Sequence, residues 1–174
     1  MTWSFPQGRI ERIYLHWSGG DYTTVFPAYH YCVVRSGGRA VVEKTGDLRA
    51  NMRALTADDV DYVAHTMGRN SYAAGLAIAG MSGAQPSDFG PYPMTDEQLE
   101  AFCGIAAAIA RAYAIPVRPE TILTHAEAAI VDGYFGCGED ERWDIARLRP
   151  SPAALTTAEA VATGDRLRSK IASF

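Results

Sequence analysis

The chain has 174 residues, 48% of them hydrophobic, enough for one domain around a single core. Its 16 basic and 20 acidic residues leave a net charge of −4, so it lacks the basic footprint that a phosphate backbone selects, which argues against nucleic acid as a partner. No stretch approaches the roughly 18 apolar residues of a membrane span, and "MTWSFPQGRIER" lacks the charged start and apolar run of a secretory leader, which points to synthesis in the cytoplasm without membrane insertion.

In chain order, "RIYLHWSGG" (12–20) reads as a short buried strand that runs into His16, Trp17 and a flexible turn. "AYHYCVV" and "RAVVE" flank Ser36, Gly37 and Gly38, the pattern of a β-hairpin with a glycine turn. A polar, irregular stretch follows from Lys44 to Asn70, and "SYAAGLAIAG" then supplies an interior strand. Residues 80–95, dense in Gly, Pro and Ser, read as a loop: either a wall of a binding cleft or a tolerated surface insertion. Thr95 and Gln98 have capping-box spacing, and Leu99, Phe102, Ile105, Ala106, Ile109 and Tyr113 recur at helical spacing, with Pro116 just beyond the end.

"ETILTH" is a second strand terminating on a histidine, His125, and a glycine-rich loop is expected from there to "RWDI". After Pro150 the chain turns rich in Ala, Thr and Ser. Thr156 and Glu159 are spaced as a capping box, and Val161, Leu167 and Ile171 form a thin apolar stripe, so a C-terminal helix packs on the domain. Strands interleaved with helices, without repeats, predict an α/β fold with a mixed sheet whose strand order is not readable. Residues 1–150 form the expected main domain and 151–174 a helical extension on it. The three cysteines, Cys32, Cys103 and Cys137, have neither a disulfide-framework nor a zinc-knuckle spacing and read as unreactive thiols.

Of four histidines, His16 and His125 sit at strand ends, where α/β sheets gather their functional groups. Each alone reads as a hydrogen-bonded structural residue, but two alike open a second reading, as ligands. Asp144 in "RWDI" brings a carboxylate, and two histidines with one carboxylate suit a catalytic zinc, which takes three protein ligands and keeps a position for water with pKa near 7. Alternation along a strand sends Tyr29 and His30 to opposite faces; Tyr29 serves either an oxyanion or aromatic packing. Arg142, two residues before Asp144, reads equally as a cation beside the metal or as a surface ion pair within "GEDER".

Taken together, "LHWSGG", "AYHYCVV", "AHTMGRNSYAAGLAIAGMSGA", "ILTHAEA" and "RWDI" resemble, in order, the blocks of zinc-dependent N-acetylmuramoyl-L-alanine amidases, with the bacteriophage endolysin branch nearest. The resemblance covers about residues 9–149. It implies a fold shared with peptidoglycan recognition proteins, a mixed central sheet flanked by helices, with Zn2+ at the bottom of a substrate groove. By resemblance His16, His125 and Asp144 match the metal ligands, and Tyr29 and Arg142 match active-site positions. His65, Asn70 and Glu127 are substrate-contact or local structural residues, and Glu127 with Tyr29 is a proton-transfer group or, alternatively, orients His125. Where some relatives carry a glutamate in the strand after "RNS", this chain has Ala77.

The implied activity is cleavage, by a zinc-activated water, of the amide joining N-acetylmuramic acid to L-alanine of the stem peptide, with peptidoglycan or a muropeptide as partner and no obligate protein partner. The rivals are a non-catalytic muropeptide-binding module and a zinc peptidase acting within the stem. A chain without a leader fits release at lysis through a holin, recycling in the cytosol, or dedicated export.

Overall fold

The computed structural model describes residues 3–174. Five strands, β1 (Arg12–Trp17), β2 (Tyr31–Ser36), β3 (Arg39–Lys44), β4 (Ala73–Ile78) and β5 (Ile122–Thr124), form one sheet in the order β3-β2-β4-β1-β5. β1 runs parallel to both β4 and β5, β2 runs parallel to β4, and only the β2–β3 hairpin is antiparallel, so the expected mixed sheet is present. Gly37 and Gly38 make the two-residue hairpin turn with φ of 57° and 78°, the left-handed values that a primed turn needs and that glycine adopts without strain. β4 is buried at every position, as a strand covered on both faces must be, and its run of small residues lets the layers approach closely.

Alternation divides β1 between two layers. Ile13 and Leu15 enter the main core with Phe102, Ile105 and Ile109 of helix α1 (Asp96–Ala112), while Tyr14 packs on the other face with Leu123 and with Ala128 of helix α2 (His125–Asp132). α1 starts as the sequence predicts: Thr95 and Gln98 form a complete capping box. The Gln98 amide also donates to the carbonyls of Val33 (3.0 Å), within β2, and of Ala79 (2.7 Å), just past β4. The C-terminal helix, α3 (Thr157–Ala172), packs against α1, α2 and β5 through Ala160, Leu167 and Ile171.

One expectation needs correction. The chain after β5 is not a loop but the eight-residue helix α2, with His125 as its first residue. Its signal lies in "THAE": Thr124 caps the helix, Glu127 completes the box, and Gly133 at φ 81° closes it in the left-handed conformation. Of the two readings of residues 80–95, the surface insertion is the one that agrees with the cleft described below, which none of them lines. Phe89 of this loop is nevertheless buried against Trp17 and Trp143 (ring centroids 6.2 and 6.3 Å), the chain neighbours of His16 and Asp144.

Among the described residues no helix is long and apolar enough to cross a membrane. All three cysteines are free, and burial pushes the Cys32 and Cys103 thiols up to about 12, which keeps them protonated and inert.

Candidate metal centre and active site

Sheet register brings the two histidines together. β1 and β5 are parallel with Leu15 opposite Thr124, so the next residue on each chain, His16 and His125, emerges side by side at the carboxyl ends of the strands. Asp144 joins them because the chain after α2 doubles back: Arg142 N–H donates to Tyr134 O (3.0 Å) and Ala126 N–H donates to Asp144 O (3.0 Å). Ile145, wholly buried, follows at φ 55°, a conformation a β-branched residue adopts only when its surroundings impose it.

The result is a compact donor cup. Nδ1 of His16 lies 3.1 Å from Nδ1 of His125 and 3.1 Å from Oδ2 of Asp144, and Nδ1 of His125 lies 3.0 Å from Oδ1 of Asp144. All three side chains are buried. Burial lowers the His16 pKa to about 4, with further lowering by His125 and partial opposition from Asp144, so the ring is neutral at pH 7. Burial alone would raise the Asp144 pKa; attraction and hydrogen bonds from the two histidines override it and hold the carboxyl well below its usual range. An ionised carboxylate and a neutral imidazole aimed at a common point are what a divalent cation requires. Donor atoms of a tetrahedral zinc site with bonds near 2.0–2.1 Å stand about 3.3 Å apart, close to the spacing here, so the residues fit a metal.

Surrounding groups fix the ligands. Thr66 Oγ1 lies 3.4 Å from His16 Nε2 and 3.0 Å from His65 Nδ1, placed to accept a proton from His16 Nε2 in the tautomer that leaves Nδ1 with its lone pair. His65 meets the His16 ring edge-on at 5.6 Å and the His30 ring edge-on at 5.7 Å; burial, then these neighbours, hold its pKa well below the usual value, so it carries no charge near neutrality. Asn70 Oδ1 accepts from the backbone N–H of both His65 and Thr66 (3.0 Å each), which makes it the brace of that loop.

This packing depends on Gly75 in β4. A Cβ there would sit 2.3 Å from His65 Cγ and 2.6 Å from Cδ2. Gly75→Ala is therefore expected to cost about 1–3 kcal/mol, read as a lower urea midpoint, and to displace the Thr66 loop; an unchanged midpoint would count against the packing described.

Beside the cup opens a cleft of about 380 Å³, walled by Tyr62, the 64–68 loop and Asn70 on one side and by Tyr134, Asp140 and Arg142 on the other, with His125 at its floor. Arg142 is exposed and tethered by the carbonyls of Glu139 (3.1 Å) and Glu141 (2.6 Å). Tyr29 lies beside the cup, its ring 5.2 Å from that of His16 and its hydroxyl donating to Trp17 O (3.2 Å); burial, then the Asp144 charge, raise its pKa, so it stays protonated. His30 faces away and accepts from Gly75 N–H (2.9 Å).

Glu127 does not belong to this cleft. Its carboxylate is turned into the protein, where it accepts from Thr124 N–H (2.9 Å) and from both terminal nitrogens of Arg168 (3.0 and 2.8 Å), leaving no oxygen for substrate or proton transfer. Ala77, in register with His16, is fully buried, so β4 contributes no carboxylate either. Thr66 and Tyr134, whose ring lies 6.0 Å from His125, are functional neighbours that no sequence pattern announced. For Arg168, the only hint was the glutamate of "THAE", a buried acid in need of a cation.

No curated protein matches the chain. Among solved structures, it is similar to one described as a complex of the N-acetylmuramyl-L-alanine amidase AmiD from E. coli with the substrate anhydro-N-acetylmuramic acid-L-Ala-D-gamma-Glu-L-Lys. The two share 20% identity over 71% of this chain and 50% of that one, at a TM-score of 0.41, so this chain spans half the length of that protein. The family model for N-acetylmuramoyl-L-alanine amidase matches residues 6–143, which include β1 through α2 and end one residue before Asp144. With most of its length inside that match, the chain belongs to the N-acetylmuramoyl-L-alanine amidase family.

Proposed function

We propose that the protein is a zinc-dependent hydrolase of peptidoglycan that cleaves the amide between N-acetylmuramic acid and the L-alanine of the stem peptide, as a lytic enzyme of the endolysin type. One observation carries this reading: in a chain of this family, two imidazole nitrogens and a carboxylate converge within 3.0–3.1 Å of one another beside an open cleft. The donor set of two nitrogens and one oxygen suits zinc, and it leaves room for a further ligand.

Zinc bound there supplies Lewis acidity to the scissile carbonyl and acidifies the attacking water. The chain's own residues do the rest. Thr66 keeps the His16 proton at Nε2, and Asp144 keeps a fixed negative charge at the cup. Arg142, on the cleft wall, offers a cation to the oxygen that becomes negative, and Tyr29 holds a phenolic proton beside His16, from which the departing amine can be served. Arg142→Ala and Tyr29→Phe are each expected to lower kcat by about 10- to 100-fold while zinc content stays at the wild-type level; a loss confined to metal content would reassign them.

The deciding experiment is mass spectrometry of products from purified sacculi, with and without a zinc chelator. Intact stem peptides with a free L-alanine amine, released only when metal is present, support the amidase. Cleavage inside the stem would transfer the site to a peptidase. A second reading, a muropeptide-binding module without turnover, draws on the buried alanine at position 77 and the internal engagement of Glu127, which together leave the cleft without a carboxylate base from either position. Zinc-loaded protein that binds muropeptide and releases nothing would favour it.

A further inference from the structure

Helix α3 lies beyond the family match, yet it reaches the element that carries a metal ligand. Arg168, 5% exposed, donates to Ile122 O of β5 (2.8 Å) and to both carboxylate oxygens of Glu127 in α2 (3.0 and 2.8 Å), with Asp165 Oδ1 as a fourth acceptor (2.8 Å). His125 sits between those two anchor points, at the junction where β5 becomes α2. One turn earlier on α3, Gly164 makes the approach feasible: a Cβ there would stand 2.2 Å from Glu127 Oε2.

The apolar side chains Ala160, Leu167 and Ile171 already dock α3, and a buried ion pair adds little net stability over apolar residues of the same size. What such a pair does add is a fixed geometry, since bidentate bonds to a planar guanidinium set both position and orientation. We infer that Arg168, through Glu127, is a positioning residue for the metal site: it locks the β5–α2 junction so that His125 Nδ1 meets His16 and Asp144. α3 is then part of the metal-binding unit rather than an appendage. The inference rests on the metal reading of the His16, His125 and Asp144 cup and is independent of which bond is cleaved.

The test is zinc affinity, measured on stripped full-length protein by competition with a chelating dye, for wild type, Arg168→Lys and the double variant Glu127→Gln/Arg168→Met. Glutamine keeps the capping box, as Gln98 does in α1, while the double change removes both charges together and avoids an orphaned carboxylate. The expected result is zinc binding weakened at least about tenfold in the double variant, and measurably in Arg168→Lys, with helix content at the wild-type level in both. Wild-type affinity in a folded double variant overturns the inference. If the double variant does not fold, Arg168→Lys decides alone, and equal affinity there overturns it. A wild-type protein that binds no zinc overturns the metal reading itself.

Discussion

His125→Ala is expected to leave the protein folded, without stoichiometric zinc, and with turnover of muropeptide reduced on the order of a thousandfold or more. Three protein ligands are the minimum of a catalytic zinc site, and the alanine removes one and also deprives Asp144 of its nearest hydrogen-bonding partner. The contrast that gives the experiment its force lies within the same stack of rings. His65, one ring away from His16, and His30, one ring beyond His65, are also buried, but neither presents a nitrogen to the cup, so His30→Gln should retain its zinc. Metal analysis by mass spectrometry and turnover on isolated sacculi read both. Full zinc content and wild-type turnover in His125→Ala would remove the basis for the site.

The second large effect is on stability in acid. Burial lowers the pKa of His30 to about 4, and that of His16 likewise to about 4, whereas both titrate near 6.5 in an unfolded chain. Protons therefore bind the unfolded chain first as pH falls, and the stability present above pH 6.5 drains away progressively until pH 4. Each gap is worth roughly 3 kcal/mol, a large share of the stability of a domain this size. His30 is the cleaner case, because its Nδ1 accepts from Gly75 N–H and has to stay unprotonated to do so. Urea unfolding of metal-free protein from pH 7.5 to 4.5 should show a falling midpoint, with a shallower fall in His30→Gln. A midpoint independent of pH over that range would mean the histidines are solvated when folded.

How far the sequence alone leads can be judged from particular elements. β1, the Gly-Gly hairpin, β4 and α1 are legible because period, turn chemistry and capping all agree locally. The three cup residues are legible because strand ends and a recurring block order mark them. α2 escapes because it is only eight residues long and a histidine at a strand end draws attention away from the threonine before it. The role of Glu127 escapes for a different reason: its partner lies 41 residues downstream on another helix, and no local pattern encodes that meeting. Thr66 is similar, 50 residues from the ring it touches. Strand order, the cleft walls at 62–70 and 134–142, and the placement of the 80–95 loop are likewise products of packing at long range.

The ligands of the cup are far apart along the chain: 109 residues separate His16 from His125 and 128 separate it from Asp144. An ion gripped by all three would be a removable cross-link between positions that span residues 16–144 of the 174. Because such an ion binds the folded cup and leaves the unfolded chain, its contribution would follow mass action, about 2.7 kcal/mol at a free concentration 100 times its dissociation constant. If the cup holds its ion in the cell, metal supply would then govern the persistence of the folded chain as well as its chemistry, since a stripped molecule would open more readily to proteases.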